Sequence, residues 1–167
     1  MESEYYSPMK GLVIRRQDID NTIAVFYLKI EDGINKNNFD QVLNIIRQIL
    51  DIIVQQEIQI SFVIDLTSYK KKCMKMAKML VNFLQNNKSI IQQYCKANVI
   101  LVKKSLLMNF VQTIFTVLYT PVAPLYISHK PEELLLFMSN NDIHLENIGN
   151  VFNEETQDDE KECCEEI

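Results

Sequence analysis

The chain has 167 residues, 47% of them hydrophobic, enough for one domain with a proper core and too few for two. Its three glycines, Gly11, Gly33 and Gly149, form neither a Gly-x-Gly-x-x-Gly nor a Gly-x-x-x-x-Gly-Lys-Ser/Thr loop, which removes the main cradles for nucleotide phosphates. The net charge of -5 is uneven: up to Asn141 there are 16 Lys+Arg against 12 Asp+Glu, and from Asp142 onward one lysine against 10 acids.

After a polar leader over 1–8, expected to be flexible, Gly11 to Arg16 (GLVIRR) and Thr22 to Ile30 (TIAVFYLKI) are rich in β-branched and aromatic residues and predict two strands. Gln-Asp-Ile-Asp-Asn between them supplies turn chemistry, so an antiparallel hairpin is the simplest pairing. From Phe39 the period changes: Phe39, Val42, Leu43, Ile46, Ile49, Leu50 and Ile53 share one helical face, with Asn37 or Asn38 placed to cap it. Ile58 to Leu66 predicts a strand whose unalternating centre, SFVID, fits a sheet covered on both faces. A second helix starts near Lys72 and runs to about Asn86, with Met76, Leu80, Phe83 and Leu84 inward, and Lys88 to Cys95 continues it after a break.

Asn98 to Val102 is the next strand, followed by a helix from Ser105, a strand at Leu125 to Ser128 and a last helix opened by Pro131-Glu132-Glu133. The stretch Ser105 to Ser128 carries no charge but does not spell a membrane span. Asn109, Gln112, Thr113, Thr116 and Thr120 make a polar stripe opposite Leu106, Leu107, Phe110, Ile114 and Leu118, and Pro121 and Pro124 stop the helix short. The predicted fold is α/β: a single mixed, mostly parallel sheet of about five strands with an opening hairpin and about four helices, in the order β-β-α-β-α-β-α-β-α. It occupies 9–141, and the acidic stretch 142–167 is expected to be a disordered tail, too polar to bury enough surface to order itself.

Four cysteines, Cys73, Cys95, Cys163 and Cys164, show neither metal-ligand spacing nor a disulfide framework, and with no signal peptide in front the reducing cytoplasm is the expected location. Cys164-Glu-Glu-Ile stands where a prenylation box would, with glutamates in place of the aliphatic residues.

The opening hairpin, the strand ending in Asp65-Leu66-Thr67 and the late Pro131-Glu132-Glu133-Leu134 make Met9 to Met138 resemble the STAS family, named for sulfate transporters and anti-sigma factor antagonists. That resemblance implies a regulatory or scaffolding module that works by binding another protein. Some members carry Asp-Ser-Ser-Gly at the start of the following helix and switch by phosphorylation of its serine. Lys72 to Lys75 reads Lys-Cys-Met-Lys here, so that switch does not carry over. Phe62 to Leu135 also looks like the lipid-binding CRAL-TRIO domains, which implies a hydrophobic ligand in an internal pocket, lined here by Phe83, Phe110, Ile114, Phe115 and Leu118.

Candidate partner-binding residues are Asp65, Thr67, Ser68, Tyr69, Lys71, Lys72, Lys75 and Lys78, at the carboxyl end of a central strand and the opening of the next helix. Asp65 in that place either meets a ligand or caps the turn through backbone N–H groups. The hydroxyls of Thr67, Ser68 and Tyr69 lie beside Lys70 to Lys72, where an added phosphate would meet positive charge. Lys71, Lys75 and Lys78 share a helical face that suits anionic lipid or the protein's own acidic tail better than nucleic acid, for which arginine clusters and interleaved aromatics are missing. Asn109, Gln112, Thr113 and Thr116 form a second candidate surface. No cofactor motif is present, and His129 and His144 lack the partners a metal or catalytic triad needs, so the expected function is non-catalytic.

Overall fold

A computed structural model describes residues 5–146 and residue 148. Among the described residues six strands form one sheet in chain order: β1 (Tyr5–Met9), β2 (Leu12–Ile19), β3 (Ile23–Ile30), β4 (Gln59–Asp65), β5 (Cys95–Leu101) and β6 (Leu125–Ser128). The first three pair antiparallel, and β3 through β6 run parallel. The expected α/β class with a mixed sheet and an opening hairpin is therefore what the chain adopts.

Two details differ from expectation at the amino end. The leader over 1–8 was expected to be flexible, yet Tyr5–Met9 is a sixth strand, tolerating Pro8 because it lies at the sheet's edge. The turn between β2 and β3 is shorter than Gln17 to Asn21: Gln17, Asp18 and Ile19 stay in the strand, and only Asp20 and Asn21 take left-handed backbone angles, φ 51° and 54°. Gly11 has φ +88° between β1 and β2, and a Cβ there would stand 2.9 Å from the Gly33 Cα, so two of the three glycines serve one close backbone approach.

The helices are α1 (Phe39–Gln56), α2 (Met74–Asn86), α3 (Lys88–Tyr94), α4 (Leu106–Thr113) and α5 (Pro131–Asn140). Each parallel strand is placed beside its predecessor in one direction, and right-handed crossovers then put every connecting helix on one face. Accordingly α1 to α4 contribute to one buried cluster with Leu28, Phe62 and Ile100 of the sheet. On the opposite face, Leu134 and Met138 of α5 join Val25, Tyr27, Val63 and Val99 in a second. Ile143 and Ile148 belong to that second cluster and are fully buried. The segment expected to be a disordered tail from 142 thus begins by covering the sheet, since Ile143, Leu145 and Ile148 supply apolar side chains there; residue 147 and 149–167 lie outside the described residues. Among the described residues no helix is long and apolar enough to cross a membrane.

Candidate functional site: an apolar cavity between sheet and helices

Between the first face of the sheet and its helices lies a cavity of ≈ 210 Å³. Its floor is Leu28, Ile30, Phe62, Ile64 and Ile100, and its roof comes from Val42, Leu43 and Ile46 of α1, Met76, Leu80, Phe83 and Leu84 of α2, and Phe110 and Val111 of α4. At the carboxyl edge of the parallel strands it meets Leu66, Tyr69, Lys71 and Cys73; at the amino edge it meets Cys95, Tyr119, Pro121, Val122 and Ala123. From Cys95 to Ile100 along β5 that is roughly 16 Å at the usual rise per strand residue. Lys71 is exposed, so the cavity reaches the surface beside it. Along α2, Met76 and Ala77 are buried, while Leu80, Phe83 and Leu84, which also line the cavity, are half-buried.

Asn87, between α2 and α3, helps hold that helical roof. Its Oδ1 accepts from the Arg47 guanidinium of α1 and its Nδ2 donates to the Phe83 carbonyl at 2.8 Å. Arg47 also pairs with Asp51 at 3.2 Å. This buried amide ties α1 to the α2–α3 junction above the cavity.

The end of α4 is unusual. Thr113 Oγ1 donates to the Asn109 carbonyl (2.8 Å) and Thr116 Oγ1 to the Gln112 carbonyl (2.9 Å), competing for the acceptors of the α-helical ladder. The chain widens into a π turn over Ile114–Leu118, closed by Tyr119 N–H donating to the Ile114 carbonyl at 2.9 Å. A five-residue turn puts Tyr119 on the side where α-helical spacing expects Leu118. Tyr119 is buried, 8% exposed, whereas Leu118 faces solvent. Of the five residues expected to line an internal pocket, Phe83, Phe110, Ile114 and Phe115 line the cavity and Leu118 does not. The inward residues of α4 are Leu107 and Val111, while Leu106 is exposed.

Polar groups inside the cavity are few. Asn98 Oδ1 accepts from Phe62 N–H at 3.0 Å, replacing the strand bond lost where the β4–β5 register slips between Ile60 and Phe62. Tyr69 Oη donates to Met76 Sδ at 3.4 Å. The Tyr119 hydroxyl oxygen is buried. Burial raises its pKa, the Cys95 thiol adding to the shift and the nearby Val122 backbone amide opposing it. Burial also pushes the Cys95 thiol up to about 12, which keeps it protonated and inert as a nucleophile at neutral pH.

The loop after β4 sorts the first set of candidate residues. Asp65, only 3% exposed, accepts from both Thr67 N–H (2.8 Å) and Thr67 Oγ1 (2.6 Å). It caps the turn and lies inside the fold, off any contact surface, because strand alternation turns it with Val63 to the α5 side. Tyr69 is likewise withdrawn: its N–H donates to the Leu66 carbonyl and its ring is buried, with its pKa raised mainly by burial and further by Cys73 and Asp32. Ser68, Lys71, Lys72, Lys75 and Lys78 are exposed, and Thr67 is half-buried. Met74 is exposed and Met76 buried.

Asn109, Gln112, Thr113 and Thr116 line a shallow groove with Pro121 and with Leu125 and Tyr126 of β6, although two of the threonine hydroxyls are spent on the helix's own carbonyls. His144 Nδ1 pairs with Ser139 Oγ at 3.2 Å, and His129 Nδ1 is buried without a partner. Cys73 and Cys95 are free thiols; Cys163, Cys164 and, apart from Asp142 and Glu146, the acidic residues expected to meet the lysines lie outside the described residues. Sequence reasoning missed Tyr69, Cys95 and Tyr119 as cavity residues, and only the tyrosines' position next to turn-forming residues hints at them.

Comparison with family models, curated proteins and solved structures gave no match.

Proposed function

We propose that the chain is a non-catalytic binding module that carries a hydrophobic small molecule of lipid-like shape between its sheet and its helices. The cavity carries this reading: it is lined almost wholly by aliphatic and aromatic side chains. An apolar cavity of about 150 Å³ is already large enough to take up benzene. Leaving ≈ 210 Å³ empty costs on the order of 5 kcal/mol, against a net stability of about 5–15 kcal/mol for a whole domain. An occupant that fills it removes most of that cost. The likeness of Phe62 to Leu135 to CRAL-TRIO domains implies the same class of ligand, and the free thiols Cys73 and Cys95 suit the reducing cytoplasm where we place it.

Native mass spectrometry tests this on protein taken directly from its expression host and again after organic extraction. The expected result is an adduct that extraction removes, with a melting temperature that falls on extraction and returns when lipid is added back. A bare 19.6 kDa species that no added lipid stabilises would refute the proposal.

A protein partner, the function implied by the STAS resemblance, draws on a different observation. Strand β6 ends the sheet with four residues, and its outer side borders the Asn109–Thr116 groove, a place where an extended peptide could add a strand. The exposed Ser68, Lys71, Lys72, Lys75 and Lys78 offer a second, cationic contact. Charge reversal of Lys72, Lys75 and Lys78 should release any protein that co-purifies through that face; retention would exclude it.

A further inference from the structure

We infer that the cavity takes a single-chain anionic amphiphile, of the class of a long-chain fatty acid, with its tail inward and its carboxylate at the mouth beside Lys71. This rests on the apolar-ligand reading above and adds to it the ligand's charge, its number of chains and its direction in the cavity.

Volume sets the number of chains: ≈ 210 Å³ lies below the roughly 300–1,000 Å³ of pockets that enclose drug-sized ligands, room for one hydrocarbon tail and not for the two of a membrane phospholipid. The lining sets the direction. Among the described residues that line the cavity Lys71 alone carries a charge, and it is exposed. Such a lysine lays its carbon stem along an apolar wall and keeps its ammonium in water. The other end, at the amino edge of the strands, offers Cys95 and Tyr119 among apolar side chains and no cation. An ionised head group carried there would be buried without a counter-ion, whereas at the mouth it keeps its water and gains one.

The sheet edge sets the sign of the head group. Lys70, Lys71 and Lys72 on the loop after β4, Lys75 in the first turn of α2, and Lys103 and Lys104 after β5 are all exposed and follow the carboxyl ends of the parallel strands. Among the described residues none of these six stands in an ion pair. Of the acids that follow β3 or end β4 at the same edge, Glu31 is paired with Lys29 at 3.8 Å, and Asp65 is buried and spent on Thr67. Asp32, whose charge reaches Tyr69, and Asp40 in the first turn of α1 remain. Lysines therefore outnumber the remaining acids around the opening, so a carboxylate is attracted there, an ammonium head is repelled and a neutral head gains nothing.

The test uses the full-length chain after organic extraction, with dodecanoate, dodecanol and dodecyltrimethylammonium as probes, each measured at neutral pH by displacement of a neutral fluorescent naphthylamine dye. Wild type should bind dodecanoate most tightly and the trimethylammonium least; either of the others bound as tightly as dodecanoate overturns the anionic class. Lys71→Ala should weaken dodecanoate about two- to fivefold, the worth of one exposed ion pair, and leave dodecanol unchanged. Equal losses for the two, or none for either, overturn the assignment to Lys71 while the cavity reading stands. Should the variant not fold, ionic strength decides on wild type alone: added salt should weaken dodecanoate and spare dodecanol, and an equal response overturns the pairing. The direction is read from dodecanoate carrying a carbon-13 carboxyl. Its bound head group should titrate in or below the ordinary carboxylate range, and a raised midpoint, the mark of a buried head, overturns the tail-inward pose. Wild type that binds neither the dye nor any of the three chains refutes the apolar-ligand reading itself.

Discussion

Cys95 shows how far a single side chain reports on its surroundings. Desolvation raises its thiol from the ordinary 9.0 to about 12. Below pH 9 folded and unfolded chains both hold the proton, so the thiol adds no pH dependence. Between that value and about 12 the unfolded chain binds fewer protons, and stability falls as pH rises. Urea midpoints should therefore drop across this alkaline window more steeply in wild type than in Cys95→Ala, each compared with its own value at neutral pH. Tyr69 and Tyr119, both raised by burial, leave the variant a residual slope of the same sign. Identical slopes would mean that the thiol is solvated. At this scale the sequence was partly readable. Asp65-Leu66-Thr67 had the chemistry of a self-capping turn, and Asp65 does cap it. Tyr69 and Tyr119 were not readable, because a tyrosine is as apt to face water as to face a core and only its tertiary neighbours decide.

Among the elements, the helical roof depends on one polar joint. Asn87→Ala would strip the Arg47 guanidinium of a buried acceptor and take one of two donors from the Phe83 carbonyl, which keeps the N–H of residue 87, a loss of about 1–3 kcal/mol. Urea denaturation should show a lower midpoint with an unchanged slope; a shift under about 0.5 kcal/mol would mean that α1 and the α2–α3 junction stay together without it. Local pattern predicted most elements within a few residues: α1 begins at Phe39, and β6 spans Leu125–Ser128, as periodicity and turn residues indicate. The same reasoning fails along α4. It assumes 3.6 residues per turn throughout, so it assigns Leu118 inward, whereas the π turn gives that position to Tyr119. Strand Tyr5–Met9 escapes notice for another reason, since a short edge strand with a proline and a serine lacks the apolar alternation that marks its neighbours.

For the molecule as a whole, the question is whether the cavity is a space meant to be filled. Ala77 is buried on its wall, so Ala77→Leu would push three more carbons into it. In an already dense core such an insertion destabilises by about 1–3 kcal/mol; here the ligand-free chain should gain about 1–2 kcal/mol while its affinity for apolar ligands falls. A lower melting temperature of the extracted variant would contradict this. Periodicity could name four of the five expected lining residues, because it records which side of a helix faces inward. It could not foretell the cavity, because it does not record whether the two facing surfaces touch. The arrangement of the sheet bears also on how the chain acquires its shape. Strand order equals chain order, so every strand pairs with the one made just before it, and the sheet can lengthen by one crossover at a time as the polypeptide emerges. Its second face has no such progressive cover: Val25, Tyr27, Val63 and Val99 wait for Leu134, Met138, Ile143 and Ile148, which are made after every strand of the sheet. Until then the nascent chain presents bare apolar β-surface, and that interval is when it is most open to aggregation or to capture by a chaperone.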